Sequence, residues 1–510
     1  MDRRLFIAQA ALGTWTLSNA AELVNPSRSN ETTAPSSPGR PLWALGAVEL
    51  AGKIRDGQVS SREATKSCLG RMRTVNPTVN AVVEGLETEA LAAADAADRL
   101  RARGASLPPL HGVPVTVKIN VDMAGHPTTD GVVAFKQAVA KEDHSSVANL
   151  KRGGAIIIGR TNTPSFSFRW FTDNDLHGRT LNPWDPTVTP GGSSGGAASA
   201  VAVGIGAIAH GNDIAGSVRY PAYCCGVAGI RPTVGLVPSF NPSTAKKPSG
   251  ISAQLMVAQG LLARRVEDLR LSLPVLARRD PRDPTIAVSQ AREALPTNAR
   301  IAVLRELPDV RADRSVSAGL DQAVAALRSA GYAVDEVVPP SFQEAADLWS
   351  PFVLNEMGPG LNGAARKFGD ERIRTALKTW VDLTRKVDLA GFSEILARRL
   401  QIRREWSQFL QRYPILITPV SWRQPFPVDF DQQGPEAFEA ILKAQSPSLV
   451  IALLGLPGLT VPSGLFDGLP TGVQVVSEWF REDLCFDIGA IIEASIPMRL
   501  PIDPRPARTA

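Results

Sequence analysis

PGGSSGGAASAVAVGIGAIAHGNDIAGSVRYP, residues 190–221, sets three serines in glycine-lined turns around an apolar run. Within it only Asp213 and Arg219 are charged. Glycine this dense marks backbone that approaches something closely or adopts positive φ. A serine displayed there is a candidate nucleophile, but it stays inert until a base takes its proton. Gly191-Gly192-Ser193-Ser194-Gly195 fits the G-x-S-x-G nucleophile elbow, which requires an acid and then a histidine further along the chain. The five histidines are His111, His126, His144, His177 and His210, and the last lies 17 residues after Ser193. The elbow reading therefore lacks its base. A phosphate loop needs a lysine after its last glycine, and Ala197 stands there instead. Ser243-Thr244-Ala245-Lys246 matches S-x-x-K, but no K-T-G follows it. The run 197–209 is too short to span a bilayer and reads as a buried helix packed by small residues.

Around this stretch the chain reads as alternating strands and helices. VPVTVKI (113–119) and AIIIG (155–159) are expected strands, with a helix over 145–152 between them. RIAVLREL and YAVDEVV flank a helix over 315–330, a β–α–β rhythm. YPILITPV, GLTVPSG and TGVQVVS are expected buried strands, followed by a helix over 483–494. Toward the N-terminus, Ser60 and Glu63 form a capping box, and an alanine-rich helix ends at Gly104. No internal repeat breaks the chain. Lys118 closes the first of these strands among apolar residues, where lost solvation lowers an amine's pKa and leaves neutral base. A lysine at a strand edge that reaches out to solvent is the competing reading.

The composition, with 510 residues, 44% apolar and 21% charged, is that of an ordinary globular protein. A net charge of +5 without any basic block gives no footprint for nucleic acid. Cys68, Cys224, Cys225 and Cys485 have neither disulfide nor metal-site spacing and read as small buried hydrophobes. At the N-terminus, Arg3-Arg4 precedes an apolar run from Leu5 to Leu17 and the small residues Ser18 to Ala21. Residues 1–23 thus have the layout of a twin-arginine-type export signal, implying a periplasmic or secreted protein. The other reading is an amphipathic helix of a cytoplasmic protein. Residues 24–41 have the polar, proline-rich composition of a flexible linker.

The glycine-serine stretch, together with PLHGVPVTVKINVDMAGHPTTDG, GRTNTPSFSF, LHGRTLNPWD and GLPGLTVPSGLFDGLPTGVQVV, resembles the amidase signature family. The likeness runs from about Leu42 to Ala494. It implies a single large α/β domain, residues 42–500, whose mixed central β-sheet is covered by α-helices on both faces. A mostly helical substrate-side region is expected at 341–412 and a short tail at 501–510. It also implies a Ser–cisSer–Lys triad, with Ser217 as nucleophile, Ser193 as the bridging serine after a cis peptide from Gly192, and Lys118 as base. The backbone N–H groups of Ile214, Ala215, Gly216 and Ser217 would form the oxyanion hole, with Ser194 and Asp213 in support.

The implied reaction is hydrolysis of a carboxylic amide through an acyl-enzyme, with neither metal nor cofactor. The expected partner is a small-molecule amide substrate, with no nucleic acid and no integral membrane span; a homodimer stays open. An amidase subunit of a tRNA-dependent amidotransferase and a catalytically silent binding protein are the alternatives. Three positions depart from the family pattern: Ile119 stands in place of an aspartate, Ala215 of a glycine, and Ser165 of a glutamate. Trp349, Phe352, Phe368 and Trp380 are expected to complete an acyl or leaving-group pocket.

Overall fold

Apolar β-rich segments that alternate with helices can bury both faces of a sheet only if helices cover each face. The computed structural model, which describes residues 40–245, 249–285, 295, 299–496 and 498–506, has that arrangement. Its strands are β1 (Val82–Gly85), β2 (Pro114–Lys118), β3 (Ile156–Thr161), β4 (Ile208–Asp213), β5 (Ala228–Arg231), β6 (Ala258–Ala263), β7 (Arg300–Val303), β8 (Ala333–Glu336), β9 (Ile415–Pro419), β10 (Gly458–Phe466) and β11 (Leu469–Ser477). They form one 11-stranded sheet in the order β1-β3-β2-β4-β6-β5-β10-β11-β9-β7-β8. β2 runs parallel to both β3 and β4, and β7 parallel to β8 and β9, while the remaining pairs are antiparallel.

Alternation along each strand divides the core between the two faces. In β9, Ile415 and Ile417 pack into one hydrophobic cluster while Leu416 packs into the other. In β7, Ile301 and Val303 face one way and Ala302 the other. The expected helices lie at Ser145–Arg152, Arg314–Ser329 and Glu482–Ser495, and Ser60 with Glu63 closes the expected capping box on helix Ser61–Val79. All four cysteines are free and buried. Helix Pro435–Leu454 is the one described helix long and apolar enough to cross a membrane, with a mean hydropathy of 1.4, yet 72% of that window is buried within the fold.

One expectation is corrected. The apolar run 197–209 is not a single helix. Helix Gly195–Ala202 stops, the chain turns through Gly204 (φ +86°) and Gly206 (φ +77°), and β4 begins at Ile208. Both elements are fully buried along this run, so neither a period of 3.6 nor one of 2 marks the change. The export-signal residues 1–23, all but the last two residues of the linker, and Lys246 of the S-x-x-K match lie outside the described residues. Ser243 itself donates from Oγ to Asp122 Oδ1 (3.0 Å).

Candidate active site

In α/β sheets, side chains for chemistry gather beyond the carboxyl ends of parallel strands. β2 and β4 are such a pair, and they end in Lys118 and in Asn212-Asp213. Lys118 is fully buried. Its Nζ donates to Ser193 Oγ at 2.7 Å and to Asn212 Oδ1 at 2.9 Å. Burial pushes the Lys118 amine down to about 7, against the opposing pull of Asp130 and Asp213. A strand-end lysine that reaches solvent is thereby excluded.

Ser193 is held by a loop with no room for side chains. The Gly192–Ser193 peptide is cis, as the resemblance implies. A Cβ on Gly192 would come within 2.5 Å of Arg169 O, and one on Gly191 (φ +80°) within 2.6 Å of Pro221 Cα. Ser194 N donates to Ser217 O (3.1 Å), which ties the two serine segments together. Ser194 Oγ is buried without a hydrogen-bond partner among the described residues, so the support from Ser194 comes through its backbone. None of the hydrogen bonds made by the five histidines goes to Ser193, Ser194 or Ser217. Burial pushes His144 down to about 4 and His210 to about 3, leaving both neutral at pH 7.

The turn 214–217 has its peptide planes fixed one by one. Arg231 donates to Asp213 O, Trp349 Nε1 to Ile214 O (3.0 Å), Trp170 Nε1 to Ala215 O (2.9 Å) and Tyr220 N to Gly216 O (2.7 Å). In a trans peptide the N–H points opposite to the C=O. Each pinned carbonyl therefore aims the next amide the other way. The Gly216 amide is consumed by Asp213 Oδ1 at 2.8 Å. The amides of Ile214, Ala215 and Ser217 make no hydrogen bond among the described residues. The expected oxyanion set is corrected accordingly: three of its four amides are free to donate, and Gly216 instead anchors the turn.

Asp213 is the anchor. Its buried carboxylate accepts from the Gly216 and Val218 amides and from Arg219 Nε and Nη2 (3.0 and 2.8 Å). Burial alone would raise its pKa, but Arg219's charge and hydrogen bonds, with Arg231 and the Gly216 amide, hold it well below the ordinary carboxylate range.

Ser217, 7% exposed, opens on a small cleft lined by Ser167, Phe168, Trp170, Ile214, Ala215, Trp349 and Trp380 among others. Trp380 stacks on Trp349 (centroids 5.3 Å apart) and packs against Trp170 (4.9 Å) and Phe438 (5.5 Å). The expected aromatic pocket is thus half right. Trp349 and Trp380 line the cleft from helices Phe342–Glu356 and Glu371–Leu383. Phe352 is buried against Phe392 instead, and Phe368 lies at the surface beside Phe135.

Sequence reasoning missed the polar chain behind Lys118. Asn212 and Asn120 exchange side-chain hydrogen bonds, Asn120 Nδ2 donates to Ser167 Oγ (2.9 Å), and Ser167 Oγ donates to Asp130 Oδ1 (2.6 Å). Burial raises the Asp130 carboxyl to about 7, opposed by the Ser167 hydrogen bond and the Lys118 charge. Asn120 stands two residues after Lys118 and could have been flagged by that spacing; the others come from distant segments. Of the departures, Ile119 is buried with its carbonyl on Arg160, Ala215 lines the cleft, and Ser165 Oγ bonds Gly131 O and Asp370. None of the three hydrogen-bonds to Lys118 Nζ, whose partners are Ser193 and Asn212.

The family model Amidase matches residues 63–486. An indoleacetamide hydrolase of Bradyrhizobium diazoefficiens is 45% identical over 459 residues, 89% of this chain and 87% of that one. One subunit of the glutamyl-tRNA(Gln) amidotransferase from Deinococcus radiodurans is 31% identical over 497 residues, covering 90% and 99%. Among solved structures, a 6-aminohexanoate cyclic dimer hydrolase complexed with substrate superposes with a TM-score of 0.78 at 26% identity, covering 90% of this chain and 98% of that chain.

Proposed function

The chain belongs to the amidase signature family and hydrolyses a carboxylic amide C–N bond, and from that premise we propose that Ser217 attacks the carbonyl of an arylacetamide such as indole-3-acetamide. The observation that carries the chemistry is the 2.7 Å contact between Lys118 Nζ and Ser193 Oγ in a fully buried setting. Neutral Lys118 takes the Ser193 proton as Ser193 takes that of Ser217, whose Oγ forms the new C–O bond. The oxyanion of the tetrahedral intermediate is held by the amides of Ile214, Ala215 and Ser217, groups worth about 2.7–4 kcal/mol each in comparable sites. The C–N bond then breaks, the nitrogen leaves with the relayed proton, and water releases the carboxylate by the same relay in reverse.

The aromatic cleft and the 45% identity to an indoleacetamide hydrolase support the acyl group. Incubation of the purified chain with indole-3-acetamide should yield ammonia and indole-3-acetate. Turnover of short aliphatic amides but of no arylacetamide would contradict the substrate assignment. The amidotransferase reading has the weaker support, 31% identity. It predicts a chain inactive without partners, so amide turnover by the isolated protein excludes it.

The N-terminal Arg3-Arg4 and the apolar run after it support export. A mature chain that begins at Met1 in the native host would contradict export.

A further inference from the structure

An asparagine amide carries a hydrogen-free oxygen at one end and two N–H groups at the other, so the end that faces Lys118 decides how the amine can turn. The polar chain behind Lys118 settles which end it is. Its far end is the Asp130 carboxylate, whose Oδ1 accepts from Ser167 Oγ at 2.6 Å. With its hydrogen committed there, Ser167 Oγ can only accept. It takes an N–H from Asn120 Nδ2 (2.9 Å) and the hydroxyl of Thr163 (2.8 Å). The second N–H of Asn120 reaches Asn212 Oδ1 (3.3 Å), while Asn120 Oδ1 accepts from Asn212 Nδ2 (3.1 Å). Asn212 is thereby held with its oxygen, and not its nitrogen, 2.9 Å from Lys118 Nζ.

The backbone at the far end of the chain is strained to make these contacts. Asp130 (φ +47°), Phe166 (φ +59°) and Ser167 (φ +53°) all adopt the left-handed conformation without being glycine. Such residues persist only where the surroundings over-determine them, and they gather at functional sites. Here the strain sets Ser167 Oγ within reach of Asp130, Thr163 and Asn120 at once. At the near end, a neutral amine has two N–H groups and one lone pair on a tetrahedral nitrogen. Asn212 Oδ1 has no hydrogen to offer, so an N–H must face it. Of the directions open to the lone pair, the one toward Asn212 is closed and the one that meets the Ser193 hydroxyl remains.

We propose that Asn212 is a positioning residue for the Lys118 base: its Oδ1 takes one N–H of the amine and so leaves the lone pair to Ser193, while the chain from Asp130 keeps the amide from flipping. This rests on the lysine-base reading above. A flipped amide would present N–H to the amine and draw the lone pair away from Ser193. When Lys118 takes the Ser193 proton, Oδ1 already stands where an ammonium N–H needs an acceptor, so no reorganisation is required. The charges that face the amine are those of Asp130 and Asp213. Arg160 on β3 is turned to the carbonyls of Ile119 and Val121 and to Glu84, His210 on β4 is neutral at pH 7, and helix Gly195–Ala202 carries no charged residue. Asn212 adds no charge of its own, so a substitution there is read against a fixed background.

The test is the pH profile of kcat and KM from pH 5 to 10 in two variants, with indole-3-acetamide and hexanamide as substrates so that the outcome does not hinge on the acyl group. Asn212→Leu keeps the bulk and loses the acceptor. Its plateau kcat should fall at least about tenfold, within the range general-base catalysis supplies, with KM inside about threefold of wild type. Its ascending limb should move to lower pH, because the ammonium form has lost a hydrogen bond. Asn212→Asp keeps an acceptor and adds an opposite charge, so its limb should move to higher pH by about one unit or more, with a plateau above that of the leucine variant. Opposite displacements are what a merely structural role does not produce. A limb that stays in place or moves the other way in either folded variant overturns the proposal, as does a wild-type plateau in Asn212→Leu. If the leucine variant does not fold, the limb of Asn212→Asp decides alone. A flat wild-type profile removes the lysine base and this proposal with it; a wild-type limb indifferent to both substitutions removes this proposal only.

Discussion

Lys118 Nζ lies 2.7 Å from Ser193 Oγ, at the buried end of a strand whose parallel neighbour offers Asn212 Oδ1 at 2.9 Å as a second acceptor. Two acceptors and no adjacent solvent leave the amine oriented but poorly solvated, with its pKa lowered to about 7. Protonated lysine cannot act as base. kcat/KM should therefore rise with pH through about 7 and level off above it. Lys118→Met should lower kcat/KM by about 10²–10⁴, the range general-base catalysis supplies, and leave no such ascending limb. A flat wild-type profile from pH 6 to 9 would contradict a lysine base.

Asp130 sits at the far end of the chain through Ser167, Asn120 and Asn212, and its charge raises the Lys118 pKa. Removing that charge makes protonated Lys118 less favourable. Asp130→Asn should shift the ascending limb of the pH profile to lower pH. A limb that stays in place or moves to higher pH would uncouple the two groups.

The indole of Trp349 holds the Ile214 carbonyl and thereby aims the Ala215 amide. Trp349→Phe keeps most of the ring and loses the donor. The expected effect is a fall in kcat of about tenfold or more, below the full 10²–10³ of a deleted oxyanion donor, with KM little changed. A change in KM alone would make Trp349 a wall of the cleft and nothing more.

Asp213 carries the turn's charge pairing, fully buried with Arg219 and Arg231. Asp213→Asn leaves two buried guanidiniums without their carboxylate, a type of change that costs about 3–5 kcal/mol. Its folded-state pKa is depressed, so the stability it confers is present above the ordinary carboxylate pKa and is lost as pH falls below it. Thermal melts of wild type should drop as pH is lowered from 5 toward 3, and those of the variant should start lower and drop less. Equal melting temperatures for the two proteins at pH 7 would refute the anchoring role.

How far the sequence reached depended on what each segment packs against. β2, β3, β7, β8 and the hairpin of β10 and β11 were legible because β-branched residues and turn glycines mark them. β4, β5 and β6 were not, since AHGND, AGIR and AQGLLA are rich in small residues with little intrinsic strand preference. The serines and Lys118 were legible through motif resemblance, and their convergence follows from β2 lying between β3 and β4, which no local pattern encodes. The free amides of the oxyanion turn depend on Trp349 and Trp170, 135 and 45 residues away from the carbonyls they hold. Spacing in the sequence carried no sign of either contact.

The central claim is that Ser217, and not the neighbouring Ser193, forms the covalent bond to the acyl group. Labelling the folded protein with a serine-reactive fluorophosphonate, then mapping the adduct by peptide mass spectrometry, tests it most directly. The account predicts one adduct, on Ser217, that disappears in Lys118→Met at pH 7 in step with amide turnover. An adduct on Ser193, or an unlabelled Ser217 in protein that still hydrolyses amides, would contradict it.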